Sequence, residues 1–487
     1  MRRLLALIAA AALVSGCSLA PELKQPEVEV PASFKELPPA ERGAWKPARP
    51  SEDLPRGQWW QVFNDPVLDR LEEDAIAANQ NLRAAAARVA QARALVGVAK
   101  ADRIPQVNAG FGPTRVQPTG VSLGLPPGEM VDPYTAWRAL LTVSYEVDLF
   151  GRVSDTINAT RSDYEANVAT FRSVTLALQA DVAQTYFALR AADDELRILW
   201  ETVKWREESV QLLQRRFDLG DISELDLARA KTEEANTRTE AIGIERRRGE
   251  LEHALAVLIG KPPAALALEV TTLVNELPAI PPGLPSELLE RRPDIAAATR
   301  QMAAANARIG VAKSAFFPVL RLTALGGYES ADLSDLFNWS SRTWLLGPLI
   351  GTILTAPIID GGRNRANLER AEAALQESVA IYRQQVLVAF AEVEDSLVAL
   401  RTLDGQAQST RAALASAAQA TRIAQVRYKF GATGYLDVIE AQRTLLAVQR
   451  SDVQIRGARA NSTVALVRAL GGGWDAPVAV SDSGQIQ

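Results

Sequence analysis

Residues that form disulfides or bind transition metals are almost absent from this chain. Its 487 residues include one cysteine and one histidine, which excludes a disulfide within the chain and leaves too few ligands for a Cys/His metal site. No nucleophile with a matching general base stands out, so we expect no enzyme, no metal site and no cofactor. The basic residues form no stripe of the kind that binds nucleic acid.

Glycine and proline are missing from two long stretches. Residues 152–219 contain neither, and residues 363–430 contain one glycine, Gly405, and no proline. Both stretches are rich in Ala, Leu, Glu, Gln and Arg, which predicts two uninterrupted helices. At 1.5 Å per residue each helix would be about 100 Å long, more than a globular core requires. Charged residues recur throughout both stretches, which excludes a helix that crosses a bilayer. We therefore expect two rods that span a distance.

The amino terminus has only a short apolar run. Residues 4–14 follow two arginines and lead directly into Val14-Ser15-Gly16-Cys17. This pattern predicts a signal peptide at 1–16 and attachment of fatty acyl chains, such as palmitate, at Cys17. Buried acyl chains contribute about 0.8 kcal/mol per CH₂ and would anchor the protein. The alternative is an ordinary secreted protein with a leftover cysteine. Residues 17–58, which are proline-rich and charged, predict an extended tether.

The chain repeats itself at a spacing of about 211 to 213 residues. The matched motifs are Ala94-x-x-Gly97-Val98-Ala99-Lys100 with Ala307-x-x-Gly310-Val311-Ala312-Lys313, Asp148-Leu149-Phe150-Gly151-Arg152 with Asp360-Gly361-Gly362-Arg363, Arg216-Phe217-x-x-Gly220 with Arg427-Tyr428-x-x-Gly431, and Leu258-Ile259-Gly260 with Ala469-Leu470-Gly471. Because the order is the same in both copies, the pattern indicates an internal duplication.

Each copy is expected to have the same plan, in residues 59–260 and 286–472. A first helix runs to a proline, over 67–104 and 286–317, and is followed by two strands, a long rod and a returning helix. A proline-rich linker at 261–285 joins the two copies and is expected near the middle of the long helices, as an equatorial region. A carboxy-terminal tail at 473–487 follows the second copy.

Alternating apolar and polar residues predict the strands. They are expected at about 106–116 and 137–148 in the first copy, and at about 319–328 and 343–357 in the second. These runs suit transmembrane β-strands, which need about 9–11 residues. Open strand edges are not tolerated in lipid, so four membrane strands would require an oligomer to close them. The alternative is a small water-soluble β-domain between the helices.

Further motifs connect these features to a known family. They are Trp59-Trp60-x-x-Phe63-x-Asp65-Pro66-x-Leu68, Asn81-x-x-x-Ala85, Arg291-Arg292-Pro293-Asp294-Ile295 and Ala305-Asn306-Ala307-x-Ile309-Gly310. Together with the repeated motifs they resemble the TolC-type outer-membrane efflux channels, specifically the NodT-like lipoprotein branch that serves RND-type drug pumps. The resemblance extends from the lipidation motif to about residue 472.

The resemblance implies a mainly α-helical fold with a small membrane β part. In that family a long α-helical hairpin barrel forms a periplasmic tunnel, and four transmembrane β-strands per chain close a twelve-stranded barrel in a trimer. The implied localisation is the outer membrane, with the helices extending into the periplasm.

The resemblance also implies a function and partners. The chain would be a passive exit duct for drugs and other small molecules in a tripartite efflux system that confers antibiotic resistance. Its partners would be two further copies of itself, a periplasmic adaptor (membrane fusion protein), an inner-membrane RND pump and outer-membrane lipid. The alternatives are a channel for type I protein secretion and a periplasmic coiled-coil scaffold lipoprotein.

The turns that end the two rods contain the first candidate functional residues. Gly220 and Gly431 are expected to cap the rods in a left-handed conformation, and the resemblance places the adaptor contact on these turns. Asp437 and Glu440 share a helix face, so a trimer would arrange them as carboxylate rings that select cations. The resemblance places such rings at a periplasmic gate, with Asp226 and Tyr428 as residues that link the tips.

Each of these acidic residues also has a purely structural explanation. Ser223-x-x-Asp226 fits a capping box, and Asp437 and Glu440 stand where acids stabilise a helix amino terminus. Thr433 stands where some relatives of the family carry an arginine that locks the closed state. That particular link is therefore not expected in this chain.

Overall fold

The structure is a computed structural model. It describes residues 18–28, 30–31, 33–36, 57–126, 128–273, 278, 288, 291–347 and 354–472. The predicted signal peptide, Cys17 and the tail at 473–487 lie outside the described residues, as does most of the linker at 261–285 beyond 273. The chain divides into two units: unit 1 comprises Met1–Glu27, Arg88–Val168 and Ala297–Tyr382, and unit 2 comprises Val28–Ala87, Ala169–Ala296 and Arg383–Gln487.

In both copies of the repeat, helix and then strands precede a long helix and a returning helix. The first contains α1 (Pro66–Ala78), α2 (Gln80–Ala101), β1 (Gln106–Val116), β2 (Tyr134–Val147), α3 (Arg152–Asp218) and α4 (Glu224–Leu258). The second contains α5 (Pro293–Ser314), β3 (Val319–Ser330), β4 (Arg342–Leu346), β5 (Leu354–Thr355), α6 (Arg363–Lys429) and α7 (Tyr435–Ala469). The two long helices have 67 residues each, and the two returning helices have 35 each. The two rods expected from the sequence are therefore present, with equal lengths.

The first helix of each copy differs from the expectation. A single helix over 67–104 was wrong, because the chain is extended at Asn79 between α1 and α2. The Asn79 side chain accepts a hydrogen bond from the Leu82 N–H at 2.9 Å and donates one to the Leu258 carbonyl at 2.8 Å. These bonds replace helical ones, so the break costs little. In the second copy α5 begins at Pro293, whose missing N–H is tolerated in a first turn.

The strands form one antiparallel sheet in the order β1-β2-β3-β4, and β5 pairs with the other end of β3. Ala139 of β2, for example, is opposite Phe111 of β1 and Tyr328 of β3. The second strand begins three residues earlier than predicted. The predicted strand at 343–357 corresponds to β4 and β5, and residues 348–353 between them lie outside the described part. Among the described helices, none has a stretch both long and apolar enough to cross a membrane.

The repeated aspartate motifs start the two long helices. Asp148 accepts hydrogen bonds from the N–H groups of Val153 and Ser154 at 3.0 and 2.8 Å. Asp360 accepts from those of Gly362 and Asn364, both at 2.9 Å. These backbone donors lower the pKa of Asp360, with Asn364 contributing most. Carboxylates therefore satisfy the free N–H groups at both helix starts.

The tryptophan-rich motif belongs to a buried apolar cluster of unit 2. Trp59, Trp60 and Phe63 are buried against α3, where the Phe63 and Phe187 rings lie 4.9 Å apart. Trp59 Nε1 donates to the side-chain oxygen of Gln179 at 3.1 Å. Buried aromatic side chains supply much of the apolar area that stabilises a small core, so this motif attaches the start of the first copy to the middle of α3.

The described part of the tether packs on the chain. In unit 2, Phe34 is fully buried, and the N–H groups of Lys35 and Glu36 donate to the two carboxylate oxygens of Glu394 on α6 at 2.7 and 3.1 Å. Glu36 in turn forms an ion pair with Arg401, two turns further along α6. Residues 34–36 of the predicted tether are therefore held by specific contacts.

Candidate functional site at the ends of the long helices

The turns after α3 and α6 have the same geometry. Gly220 has φ of +79° and Gly431 has φ of +71°, the left-handed region that glycine adopts without strain. The Gly220 N–H donates to the Phe217 carbonyl at 2.8 Å, and the Gly431 N–H donates to that of Tyr428 at 3.0 Å. In each turn the next N–H, that of Asp221 or Ala432, donates to the carbonyl five residues back. Both glycines therefore cap their helices in Schellman motifs.

Large apolar side chains at these turns are exposed to solvent. Leu219 and Phe430, which are counterparts in the repeat, are each 79% exposed. A second pair of counterparts, Leu225 and Leu436, is also exposed at the start of the returning helices. Exposed apolar groups that recur at equivalent positions in both copies indicate a contact surface for another protein.

Tyr428 is held by α3. Its hydroxyl accepts a hydrogen bond from Arg216 Nη1 at 3.1 Å, and the same guanidinium lies over the tyrosine ring, 5.4 Å from its centroid. The Tyr435 ring is 5.3 Å away. Burial raises the pKa of Tyr428. Tyr428 therefore links the ends of α3 and α6 within one chain.

Asp226 is in the first turn of α4. The Ser223 hydroxyl donates to its carboxylate at 3.0 Å and accepts a hydrogen bond from its N–H at 3.3 Å. Arg229 lies 3.6 Å from the other carboxylate oxygen. Asp226 and Ser223 thus form a cap at the start of α4, which is the structural role that the sequence pattern suggested. Asp226 and Tyr428 have different partners in this chain.

Asp437 and Glu440 lie on one exposed face of α7, as their spacing predicts. Asp437 accepts a hydrogen bond from the Thr433 hydroxyl at the preceding turn. Glu440 is 59% exposed and pairs with Arg443, with 3.0 Å between Glu440 Oε1 and Arg443 Nη1. Among the residues that the structure describes, the two carboxylates are not equivalent, because Glu440 has a cationic partner within 4 Å and Asp437 does not.

Arg443 also connects this face to a buried ion-pair network that the sequence analysis did not find. It bonds to Glu233 of α4, which also accepts from Arg206 of α3 at 3.1 Å. Arg206 donates further to the Glu233 carbonyl at 2.7 Å and to the Thr237 hydroxyl. The Arg206 and Glu233 side chains are only 7% and 9% exposed. Arg443, less than one turn from Glu440, therefore connects the exposed acidic face to a buried ion pair inside the tips.

The electrostatics of this network follow from burial and pairing. Burial lowers the pKa of Arg206, and Glu233 partly offsets this effect. The hydrogen bond from Arg443 holds the pKa of Glu233 below its ordinary value.

One signal in the sequence could have pointed to the network. Glu233 and Glu240 are one heptad apart on α4, and Arg443 and Arg450 are one heptad apart on α7. In the structure Glu233 pairs with Arg443, and Glu240 pairs with Arg450.

The remaining predicted site residue, Cys17, lies outside the described residues. No group of three or more His, Cys, Asp or Glu in the described ranges is placed to hold a metal ion. The tips therefore offer exposed apolar side chains, an exposed carboxylate face and a buried ion-pair network. Such a set suits contact with a partner and interaction with ions.

Known proteins are similar to this chain over nearly its whole length. The family model described as outer membrane efflux protein matches residues 71–261 and 284–472, one stretch for each copy of the repeat. The antibiotic efflux pump outer membrane protein ArpC of Pseudomonas putida is 34% identical over 476 residues, which is 97% of this chain and 96% of ArpC. The cation efflux system protein CusC of Escherichia coli is 34% identical, over 95% of this chain and 96% of CusC. The crystal structure of the Campylobacter jejuni CmeC outer membrane channel matches this chain with a TM-score of 0.85 and 27% sequence identity, over 94% of this chain and 96% of CmeC.

Proposed function

Because the chain belongs to the outer membrane efflux protein family, we propose that it is the outer-membrane exit duct of a tripartite efflux pump. The protein is an outer membrane protein with the fold of an efflux channel, and its family is one of channels rather than enzymes. The observation that carries the proposal is the duplicated plan, in which each copy joins its strands directly to a 67-residue helix. A water-soluble scaffold, one alternative left by the sequence, would not explain a match to a solved outer membrane channel over 94% of the chain.

The finer parts of the proposal concern the assembly. Three copies close the sheet into a barrel, since a sheet with open edges is not tolerated in lipid. A periplasmic adaptor docks on the tips, an inner-membrane RND pump supplies the energy, and acyl chains on Cys17 attach the mature amino terminus to the membrane. ArpC is named for antibiotics and CusC for cations, so we assign small molecules as the class of cargo without choosing between them.

The adaptor contact is assigned to the two turns at Gly220 and Gly431. Their glycines shape the turns, and the exposed Leu219 and Phe430 supply apolar surface that a partner would bury. A variant with Leu219→Glu and Phe430→Glu is expected to abolish drug resistance in a strain that lacks its own channel but retains the pump and adaptor. The measurement is the minimum inhibitory concentration, which should fall to that of the empty vector.

The control for this experiment is Met130→Glu, which places the same charge on a side chain that is 85% exposed in the β1–β2 loop. It should leave resistance unchanged. Full resistance from the double variant, at equal amounts of protein in the outer membrane, would contradict adaptor docking at the tips. No rescue by the unaltered chain, in a strain where the family's channels do restore resistance, would contradict the exit duct itself.

The periplasmic gate is assigned to Asp437 and Glu440, with Asp226 and Tyr428 holding the tips. In a trimer the exposed face of α7 would present rings of carboxylates, which favour cations. Because Arg443 offsets the charge of Glu440, we expect Asp437 to contribute most of the cation preference. Asp437→Asn should move the ratio of K⁺ to Cl⁻ permeability most of the way to one, Glu440→Gln should change it less, and replacement of both by alanine should also increase conductance.

The measurement is the reversal potential of single channels in a planar bilayer under a KCl gradient. Glu201→Gln is a matched control, since it neutralises an exposed carboxylate of α3 that the proposal does not place at the gate. Equal permeability ratios for the unaltered channel and all variants would remove Asp437 and Glu440 from the gate.

A further inference from the structure

A carboxylate is buried near the start of α3, in unit 1, where the sequence predicts no functional residue. Asp155 is 1% exposed and lies against Gly310 of α5. A Cβ atom at Gly310 would be 2.1 Å from Asp155 Oδ2 and 2.8 Å from the backbone nitrogen of Ala20. No side chain fits at that position. Glycine at 310 therefore allows three segments of the chain to meet.

The third segment is the chain directly after Cys17. The Ser18 hydroxyl donates to Asp155 Oδ1 at 2.6 Å, and the Ala20 N–H donates to Ser18 Oγ at 3.2 Å. One turn before Gly310, the buried Asn306 donates from Nδ2 to the Pro21 carbonyl at 2.7 Å. Polar groups of two helices therefore bind four consecutive residues of the tether.

The Asp155 carboxylate depends on this segment for its donors. Burial raises its pKa, and the Ser18 hydroxyl and the amides of Leu19 and Ala20 act in the opposite direction. Within the part of the chain that the structure describes, Asp155 Oδ2 has no hydrogen-bond partner of good geometry. A buried carboxylate is costly without donors, so residues 18–20 stabilise Asp155 as much as Asp155 holds them.

Comparison of the two copies shows that the start of a long helix does not need a carboxylate at the position of Asp155. The repeat counterpart of Asp155 is Ala366, at the start of α6. Both residues make the same backbone bond. The Asp155 N–H donates to the Gly151 carbonyl at 2.7 Å, and the Ala366 N–H donates to the Gly362 carbonyl at 3.0 Å. The counterpart of Gly310 is Gly97, where a Cβ would meet nothing within 4 Å. The long helix therefore starts equally well without the carboxylate, which occurs only in the copy that binds the tether.

We propose that Asp155, Asn306 and Gly310 form a socket that binds residues 18–21 and thereby fixes where an acyl anchor on Cys17 joins the folded protein. The socket is a binding site for the chain's own mature amino terminus. Its significance for anchoring rests on the proposed lipidation of Cys17. An anchor that begins one residue from a fixed contact has a defined position, whereas an anchor on a free tether would not.

Trypsin cleavage after Lys24 tests the socket on the mature, full-length protein extracted from outer membranes. Lys24 is exposed and is the first trypsin site after Cys17. A protease binds several residues on each side of the bond in an extended form, so release of residues 18–21 from the socket should make this site easier to cleave. Asp155→Ala and Gly310→Ala are each expected to speed this cleavage by about tenfold or more, because each removes or displaces a buried, charge-assisted contact. Ser18→Ala should give a smaller increase in the same direction.

Gly97→Ala is the matched control, since it makes the same change at the repeat counterpart of Gly310 in open space. It should cleave at the rate of the unaltered protein. If Asp155→Ala and Ser18→Ala both cleave no faster than the control, the socket is wrong, whether or not Gly310→Ala folds. The mass of the released amino-terminal peptide separately reports whether Cys17 is acylated. An unacylated peptide would refute the anchor while leaving the cleavage rates to decide the socket.

Discussion

Replacing Glu72 with glutamine is expected to raise the free energy of opening of α1 by about 3 kcal/mol at pH 7. Glu72 is fully buried on α1, between Leu68, Leu71 and Ala75 of the core, and neither carboxylate oxygen has a hydrogen-bond partner among the described residues. Burial raises its pKa from the ordinary 4.5 to about 9, and the neighbouring Asp69 adds to the shift. Glutamine has nearly the same shape and remains neutral at every pH.

The sign of the pH dependence follows from proton binding. Between pH 4.5 and about 9 the folded protein holds a proton on Glu72 that the unfolded chain has released. Stability is therefore fully present below the lower value and is lost as the pH rises toward the higher one. The benefit of Glu72→Gln should be small at pH 5 and should grow as the pH rises to 9.

Hydrogen exchange of the α1 amides in the detergent-solubilised protein measures this effect at pH 5, 7 and 9, because it reports local opening without complete unfolding. Glu73→Gln makes the same change at the adjacent, exposed position and should shift the opening free energy by less than about 0.5 kcal/mol. Parallel pH dependences for Glu72→Gln and the unaltered protein would show that Glu72 is not a buried neutral acid.

Replacing Glu233 with alanine is expected to have the opposite effect, lowering the free energy of opening of α4 and α7 by about 3–5 kcal/mol. The change leaves Arg206, which is 7% exposed, without its carboxylate, and it also removes the partner of Arg443. An uncompensated buried charge costs more than the ion pair contributes in the intact protein. Amides near the tips should exchange about 10²- to 10⁴-fold faster, since each 1.4 kcal/mol is about a factor of ten.

Glu240→Ala provides the control on the same pair of helices. Glu240 pairs with Arg450 at 2.7 Å one heptad further along, but its side chain is 46% exposed, so its loss should cost about 0.2–1 kcal/mol.

The pH dependence of the Glu233 network has a defined sign. The hydrogen bond from Arg443 lowers the pKa of Glu233, so the stability that Glu233 contributes is present above the ordinary pKa of a glutamate and is lost as the pH falls. If the two variants exchange equally fast at the tips, the buried network is not what stabilises them.

Local patterns were sufficient for the two long helices, the strands and the duplication. The absence of proline and near absence of glycine predicted both rods, period-2 alternation predicted the strands, and the shared order of the repeated motifs predicted two equivalent copies. The positive φ of Gly220 and Gly431 and the shared face of Asp437 and Glu440 also followed from neighbours within a few residues. Such features depend on backbone geometry, which nearby residues determine.

The tertiary structure alone decided which charged groups are paired, buried or free. Asn79 interrupts the first helix because the Leu258 carbonyl, 179 positions away, accepts its side chain. Glu440 is offset by an arginine that Glu233 holds from 210 positions away, and Asp155 is buried by the tether 137 positions before it. The sequence by itself determined the two rods, the strands and their duplication, since hydrophobic periodicity and turn residues act locally. It could not determine the state of Glu72, Asp155 or Glu233, because burial and pairing depend on segments that meet only when the chain has folded.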